Sequence, residues 1–268
     1  MHVKPDAPSS AGATPNAATG AAVTAAVTGA APLDAAAAAA RAARIDALIA
    51  ADARALHGII EAAAPLDLDA LADSSYTGID LSLPRWMHAL LWRTFRKTFY
   101  RDPATGVLRG WNVKVEQTGW ATPPAPRRDR QGAPLAFGHY EVRSARGLRF
   151  PRGWQGAHYL EYRYAGNALW DWPARAGRCP LVAVDAGSME LLLGWEIFRF
   201  GPADSVSLDV PLPDYWLLVR EGPLAPDARL PRPDARRMRP DTQLSLSDAR
   251  RSPADARLSP PHAGEGLG

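Results

Sequence analysis

Gly110-Trp111-Asn112-Val113-Lys114-Val115-Glu116-Gln117 alternates apolar with polar residues, and His158-Tyr159-Leu160-Glu161-Tyr162-Arg163-Tyr164 does much the same. A period of two sends successive side chains to opposite faces, so each stretch reads as a half-buried antiparallel strand. Working outward, strands are predicted at about 107–117, 136–144, 157–165, 189–200 and 214–220, with Tyr76–Leu83 as a first strand. The first three carry a polar face (Asn112, Lys114 and Glu116; His139, Glu141 and Arg143; Glu161 and Arg163), which is expected in water. The last two are apolar on both faces and need a cover.

That cover is legible upstream. Asp34 suits a helix N-cap, and Ala35–Ala64 is rich in good helix formers. Ile45, Leu48, Ile49, Leu56, Ile59 and Ile60 form one stripe at helical spacing, so the helix is expected to pack outside the last two strands. A second, basic helix is predicted from Pro84 to about Phe99, because Met87, Leu91, Phe95 and Phe99 recur every four residues. Six or so antiparallel strands with one shared apolar face, in sequential order, predict a mainly β fold: a small antiparallel β-barrel. Its lumen is expected to hold Trp111, Val113, Val115, Tyr140, Val142, Leu160, Tyr162, Tyr164, Leu193 and Trp195.

The ends of the 268-residue chain differ in kind from this middle. Residues 1–33 have no aromatic and no Leu before Leu33, and residues 223–268 have no aromatic at all. Neither buries enough apolar surface to offset the entropy of ordering it, so both are expected to be disordered, leaving 34–222 as one domain. In the tail, Asp227, Asp234, Asp241, Asp248 and Asp255 recur every seven residues, but Pro226, Pro233 and Pro240 and the missing apolar seams exclude a coiled coil.

Cys179, the single cysteine, excludes an internal disulfide and leans towards a reducing compartment; it reads as a small buried residue or, given a histidine partner, a nucleophile. No run of 18 apolar residues exists to make a transmembrane helix, and Ala17–Ala31 lacks the Leu, Ile and Phe of a secretory core. A cytoplasmic location is expected. The net charge of +3 is uneven: ten basic residues against three acidic ones give Pro84–Gly132 +7. Such an excess steers anionic partners. Arg93, Arg96 and Lys97 beside Trp and Phe also suit a membrane surface, whereas no nucleic-acid module accompanies the charge.

Catalytic signatures are missing. The chain has no Gly-rich phosphate loop and no Gly-x-Ser-x-Gly, and its histidines and lone cysteine lack metal-site spacing, so no metal and no cofactor is expected. Glu116, Glu141 and Glu161 share their faces with Lys114, Arg143 and Arg163 and read as cross-strand ion pairs. His158, in register with Leu160, Tyr162 and Tyr164, is either a general base in the lumen or a histidine hydrogen-bonded near the rim. Asn167–Trp172 reads as a loop at the barrel mouth, closing over a ligand or plugging the sheet.

The succession Leu68-Asp69-Ala70-Leu71, Tyr76-Thr77-Gly78 and Leu108-Arg109-Gly110-Trp111-Asn112, followed by alternating strands, resembles the uncharacterised bacterial lipocalin-like (calycin) proteins over about 68–220, with Tyr76 where the family's short motif has Trp. The resemblance implies a ligand-holding barrel and assigns no activity. The leading expectation is binding of a small apolar or amphipathic molecule, with Trp111, Tyr140, His158, Tyr162, Tyr164 and Trp195 lining the site. One alternative is an enzyme acting on a lipidic or polyketide-like substrate with a His/Tyr acid–base pair. The other is a peripheral membrane protein using the basic helix.

Overall fold

Eight antiparallel strands pair in strict sequence order, and the last returns to the first, which closes the sheet. The structure is a computed structural model and describes residues 35–82, 93–167, 172–201 and 206–225. The strands are β1 (Ser74–Asp80), β2 (Thr94–Arg101), β3 (Leu108–Lys114), β4 (Ala136–Ser144), β5 (His158–Glu161), β6 (Arg178–Ala183), β7 (Leu191–Phe200) and β8 (Leu208–Pro223). Closure leaves no unpaired sheet edge. The expected barrel is present, built from eight strands rather than about six.

Two strands escaped the sequence reading. β2 occupies residues assigned to the basic helix, whose first part, 84–92, lies outside the described residues. A spacing of four fits a helical face and also two steps of a strand, so Phe95 and Phe99 could not separate the two. β6 (Arg-Cys-Pro-Leu-Val-Ala) carries Pro180, which argues against a strand. Here Pro180 faces Tyr159 of β5, while pairing of β6 with β7 begins only at Leu181.

The apolar cover is outside, as its stripe predicted, but it is two helices: α1 (Ala35–Ala50) and α2 (Ala53–Ala62). The break falls at Asp52, whose carboxylate accepts from the Ala55 N–H at 2.8 Å and starts α2 afresh. Ala63, in the left-handed region, then ends it. Ile45, Leu48, Leu56 and Ile60 pack on Leu191, Leu193, Trp195 and Ile197 of β7 and on Tyr215, Leu217 and Val219 of β8. Each such aliphatic side chain withdrawn from water contributes about 1.5–3 kcal/mol. Short helices α3 (Leu68–Leu71) and α4 (Trp172–Ala176) complete the described set. None of the described helices is long and apolar enough to cross a membrane.

A second cluster lies inside the barrel and includes Tyr76, Phe95, Phe99, Leu108, Tyr140, Val142, Leu160, Tyr162, Cys179, Leu181, Leu192, Trp216 and Leu218. Three aromatic rings of this set lie over glycines on the neighbouring strand. The register sets Gly78 opposite Phe95, Gly110 opposite Tyr140 and Gly194 opposite Trp216. A Cβ on these glycines would sit 2.3 Å from the Phe95 ring, 2.4 Å from the Tyr140 hydroxyl and 2.1 Å from the Trp216 ring. Glycine is therefore what lets each ring lie against the wall.

This parity corrects the predicted lumen for β3 and β7. Trp111 and Val113 face outward, packed with Leu224 and Tyr100, while Gly110 and the supposedly solvated Asn112 face inward. Leu193 and Trp195 lie under the helices. Both faces of these strands are buried, so alternation alone could not say which faces in.

Candidate functional site

The inner surface is graded along its length. At the end where β1 begins, Leu66 and Leu71 cap Tyr76, Phe99 and Leu108 in an apolar plug, and the Tyr76 hydroxyl donates to the Met189 carbonyl at 2.8 Å. Towards the other end polar groups appear on the inward parity: Lys97, Asn112, Glu196 and Asp214. Buried ionisable groups are costly unless partnered, so this half is the candidate site.

Lys97 is its centre and is 2 % exposed. Its ammonium donates to Asn112 Oδ1 and to the Tyr162 hydroxyl, both at 2.8 Å. Four rings surround it, with centroids 4.4 Å (Tyr140), 4.7 Å (Trp216), 5.4 Å (Tyr162) and 5.6 Å (Phe95) from Nζ. Ring faces attract a cation, but less than water does, and desolvation brings the Lys97 pKa down to about 7 against the pull of Cys179 and Glu196. The amine is thus poised to exchange a proton near neutrality.

Burial shifts its neighbours towards their neutral forms. Burial raises the Tyr140 and Tyr162 hydroxyls well above the usual phenol range and lifts the Cys179 thiol likewise. Cys179 Sγ donates to Glu196 Oε2 at 3.2 Å, and burial pushes the Glu196 carboxyl up. Asp214 is raised to about 8, first by burial and then by the carboxylates of Asp80 and Glu196, and its Oδ1 has no hydrogen-bond partner. Tyr140 donates to the Thr98 carbonyl, which pins its ring. The result is an amine and a carboxyl, Lys97 and Asp214, titrating near neutrality amid donors and rings, an arrangement suited to a polar headgroup carried on an apolar body.

Of the residues expected to line the site, Tyr140 and Tyr162 do face the interior. Trp111 is on the outer wall, tilted against Tyr100 and His139. Trp195 is also outside, stacked on Tyr215, edge-on to His57 at 4.8 Å and donating to the Leu212 carbonyl at 2.8 Å. His158 starts β5, opposite Ser144 and four residues from Tyr162 along the strand, about 13 Å of strand rise. Its Nδ1 is buried without a partner, and burial lowers its pKa. Tyr164 lies in the turn after β5, beneath the Arg143 and Arg163 guanidinium groups. Asn167 ties that turn down by donating to the carbonyls of His139 and Tyr162.

The cations expected to meet a membrane separate too. Lys97 points into the barrel, Arg96 is ion-paired with Glu221 at 2.7 Å, and Arg93 is exposed. With β2 a strand, Lys97 stands on the face opposite to Arg96. Lys97, Asn112, Glu196 and Asp214 were the residues missed. The signal for Lys97 was Phe95-Arg96-Lys97-Thr98-Phe99, which places it at strand spacing between two inward rings.

Of the carboxylates predicted to pair across strands, Glu141 stands opposite Glu161 in the register, and Glu116 lies 3.9 Å from Arg127. Arg143 instead forks onto Glu141 of its own strand at 2.7 and 3.0 Å. Among the described residues, no group of three or more His, Cys, Asp or Glu is placed to hold a metal ion. No family model matches this chain, and neither a curated protein nor a solved structure is similar to it, so the reading of function rests on the residues themselves.

Proposed function

We propose that this protein binds a small amphipathic, lipid-like molecule in the polar half of its barrel, as the resemblance to lipocalin-like proteins implied. The apolar body would lie against Phe95, Tyr140 and Trp216, and the headgroup would meet Lys97. The observation that carries this is the inward Lys97, hydrogen-bonded to Asn112 and Tyr162 and ringed by four aromatic side chains. A lysine deep in a barrel costs stability, and a headgroup that takes up its hydrogen-bonding capacity gives it a use. In this reading the protein works in the cytoplasm, with Cys179 as a free, buried thiol.

Organic extraction and native mass spectrometry of the purified protein are expected to recover a bound compound. The anionic amphiphile 1-anilinonaphthalene-8-sulfonate is expected to bind with a fluorescence gain that Lys97→Met weakens about tenfold or more, the scale of one charge-assisted hydrogen bond. Apo protein that also ignores the dye would end the proposal.

A second reading has its own support. Lys97 and Tyr162 in contact at 2.8 Å, with the amine titrating at about 7, form the kind of pair that serves general acid–base catalysis. It replaces the expected pairing of His158 with a tyrosine.

A further inference from the structure

On the outer wall, away from the barrel interior, a cleft of about 560 Å³ opens over β4, β5, β6, β7 and the start of β8. Five arginines line it (Arg143, Arg146, Arg149, Arg178 and Arg199) against two carboxylates, Glu161 and Asp209. Counting Glu141, which pairs with Arg143 from beside the cleft, the balance is still positive.

The partners show where charge is left over. Asp209 serves two arginines at once, with Oδ1 2.8 Å from Arg199 Nε and Oδ2 bonded to Arg178 Nη1. Arg146 and Arg149 make no ion pair among the described residues, and Arg146 is exposed. Arg178 is 1 % exposed. Its guanidinium lies 4.0 Å from the Phe150 centroid and 5.2 Å from that of Tyr159, and its Nε and Nη2 have no hydrogen-bond partner. A buried donor left unmade is costly, and here two of them sit on one residue of the cleft wall.

We propose that this cleft is a second binding site, and that it takes a phosphorylated small molecule: a phosphate ester or a pyrophosphate group. Guanidinium forks match phosphate oxygens in pairs, and a tetrahedral group with several acceptor oxygens can meet arginines arriving from different strands. The volume suits a small organic phosphate. A single carboxylate would leave most of the donors unused. The site is independent of Lys97, which faces the other side of the sheet.

Isothermal titration with inorganic pyrophosphate tests this at about 0.15 M salt, where loose surface pairing is screened. Wild-type protein is expected to bind one pyrophosphate saturably. The double variant Arg146→Met/Arg149→Met, chosen because neither residue anchors the fold by an ion pair, is expected to bind at least tenfold more weakly with unchanged thermal unfolding. Lys97→Met is expected to bind as wild type does, which separates this site from the barrel interior. Absence of saturable binding would overturn the proposal. So would equal binding by the double variant, or citrate bound as tightly as pyrophosphate.

Discussion

Among the described residues, two cations are almost wholly withdrawn from water, Lys97 inside the barrel and Arg178 on its outer wall, and they are accommodated in opposite ways. Lys97 meets neutral groups: an amide oxygen, a phenol and four ring faces. Nothing there compensates the charge fully, so the charge itself yields and the pKa falls to about 7. Around Arg178 the surroundings instead supply a carboxylate, Asp209, and two flanking rings. Asp209 in turn is held below the usual carboxylate range by Arg199 and Arg178, despite a burial that pushes it up. The interior tolerates an ionisable group by letting it titrate, and the wall tolerates one by pairing it.

Breaking that contrast at Arg178 should have the largest effect. Arg178→Ala removes one of the two arginine partners of a half-buried carboxylate, together with the plate packed on Phe150, so chemical denaturation is expected to show a loss of about 3–5 kcal/mol. At Lys97 the sign should reverse. Lys97→Met keeps the length and drops the desolvated amine, and the same measurement is expected to give a gain of about 1–4 kcal/mol. A loss at Lys97 comparable to that at Arg178 would show that the rings and Tyr162 fully compensate the charge.

The pH dependence sharpens this. Lys97 titrates near 7 when folded and near 10.5 when unfolded, so between those values the unfolded chain holds the extra proton. Stability from this group therefore rises as pH climbs from about 7 to 10.5, and Lys97→Met should lack that rise. Asp214, at about 8 folded against 3.8 unfolded, acts in the other direction, and stability falls as pH rises between those values in both proteins. Thermal unfolding of the pair across pH 5–10 separates the two groups.

The smallest of the expected changes tests the packing that holds the Tyr140 ring beside Lys97. An added methyl at Gly110 would lie 1.9 Å from the Thr98 carbonyl oxygen as well as against the Tyr140 hydroxyl. Gly110→Ala is expected to cost about 1–3 kcal/mol by overpacking, read from urea unfolding. An unperturbed variant would mean that the ring has room to move.

Much of the barrel was legible because alternation is a local property. Ala136–Ser144 and the core of β7 were placed from it, and the stripe of α1 and α2 named the two strands that they cover. β2 was not legible, since Phe95 and Phe99 satisfy two periods at once. Nor was β6, whose proline is tolerated only because its ladder to β7 starts late. The site suffered more. Trp111 and Trp195 were assigned inward because large apolar residues usually define an inside, yet in this fold the helices and the segment at Leu224 create a second inside beyond the wall.

The sequence alone determined a helix-covered antiparallel β domain, because period and propensity are carried by neighbours along the chain. Which face of each strand looks inward was decided only by the closed sheet and by what packs outside it. That is why Lys97 and Asn112, polar residues on strands buried on both sides, stand at the centre of the barrel rather than in water. The reason is geometric: a shift of one residue exchanges the two faces, and only contacts between distant segments fix the choice.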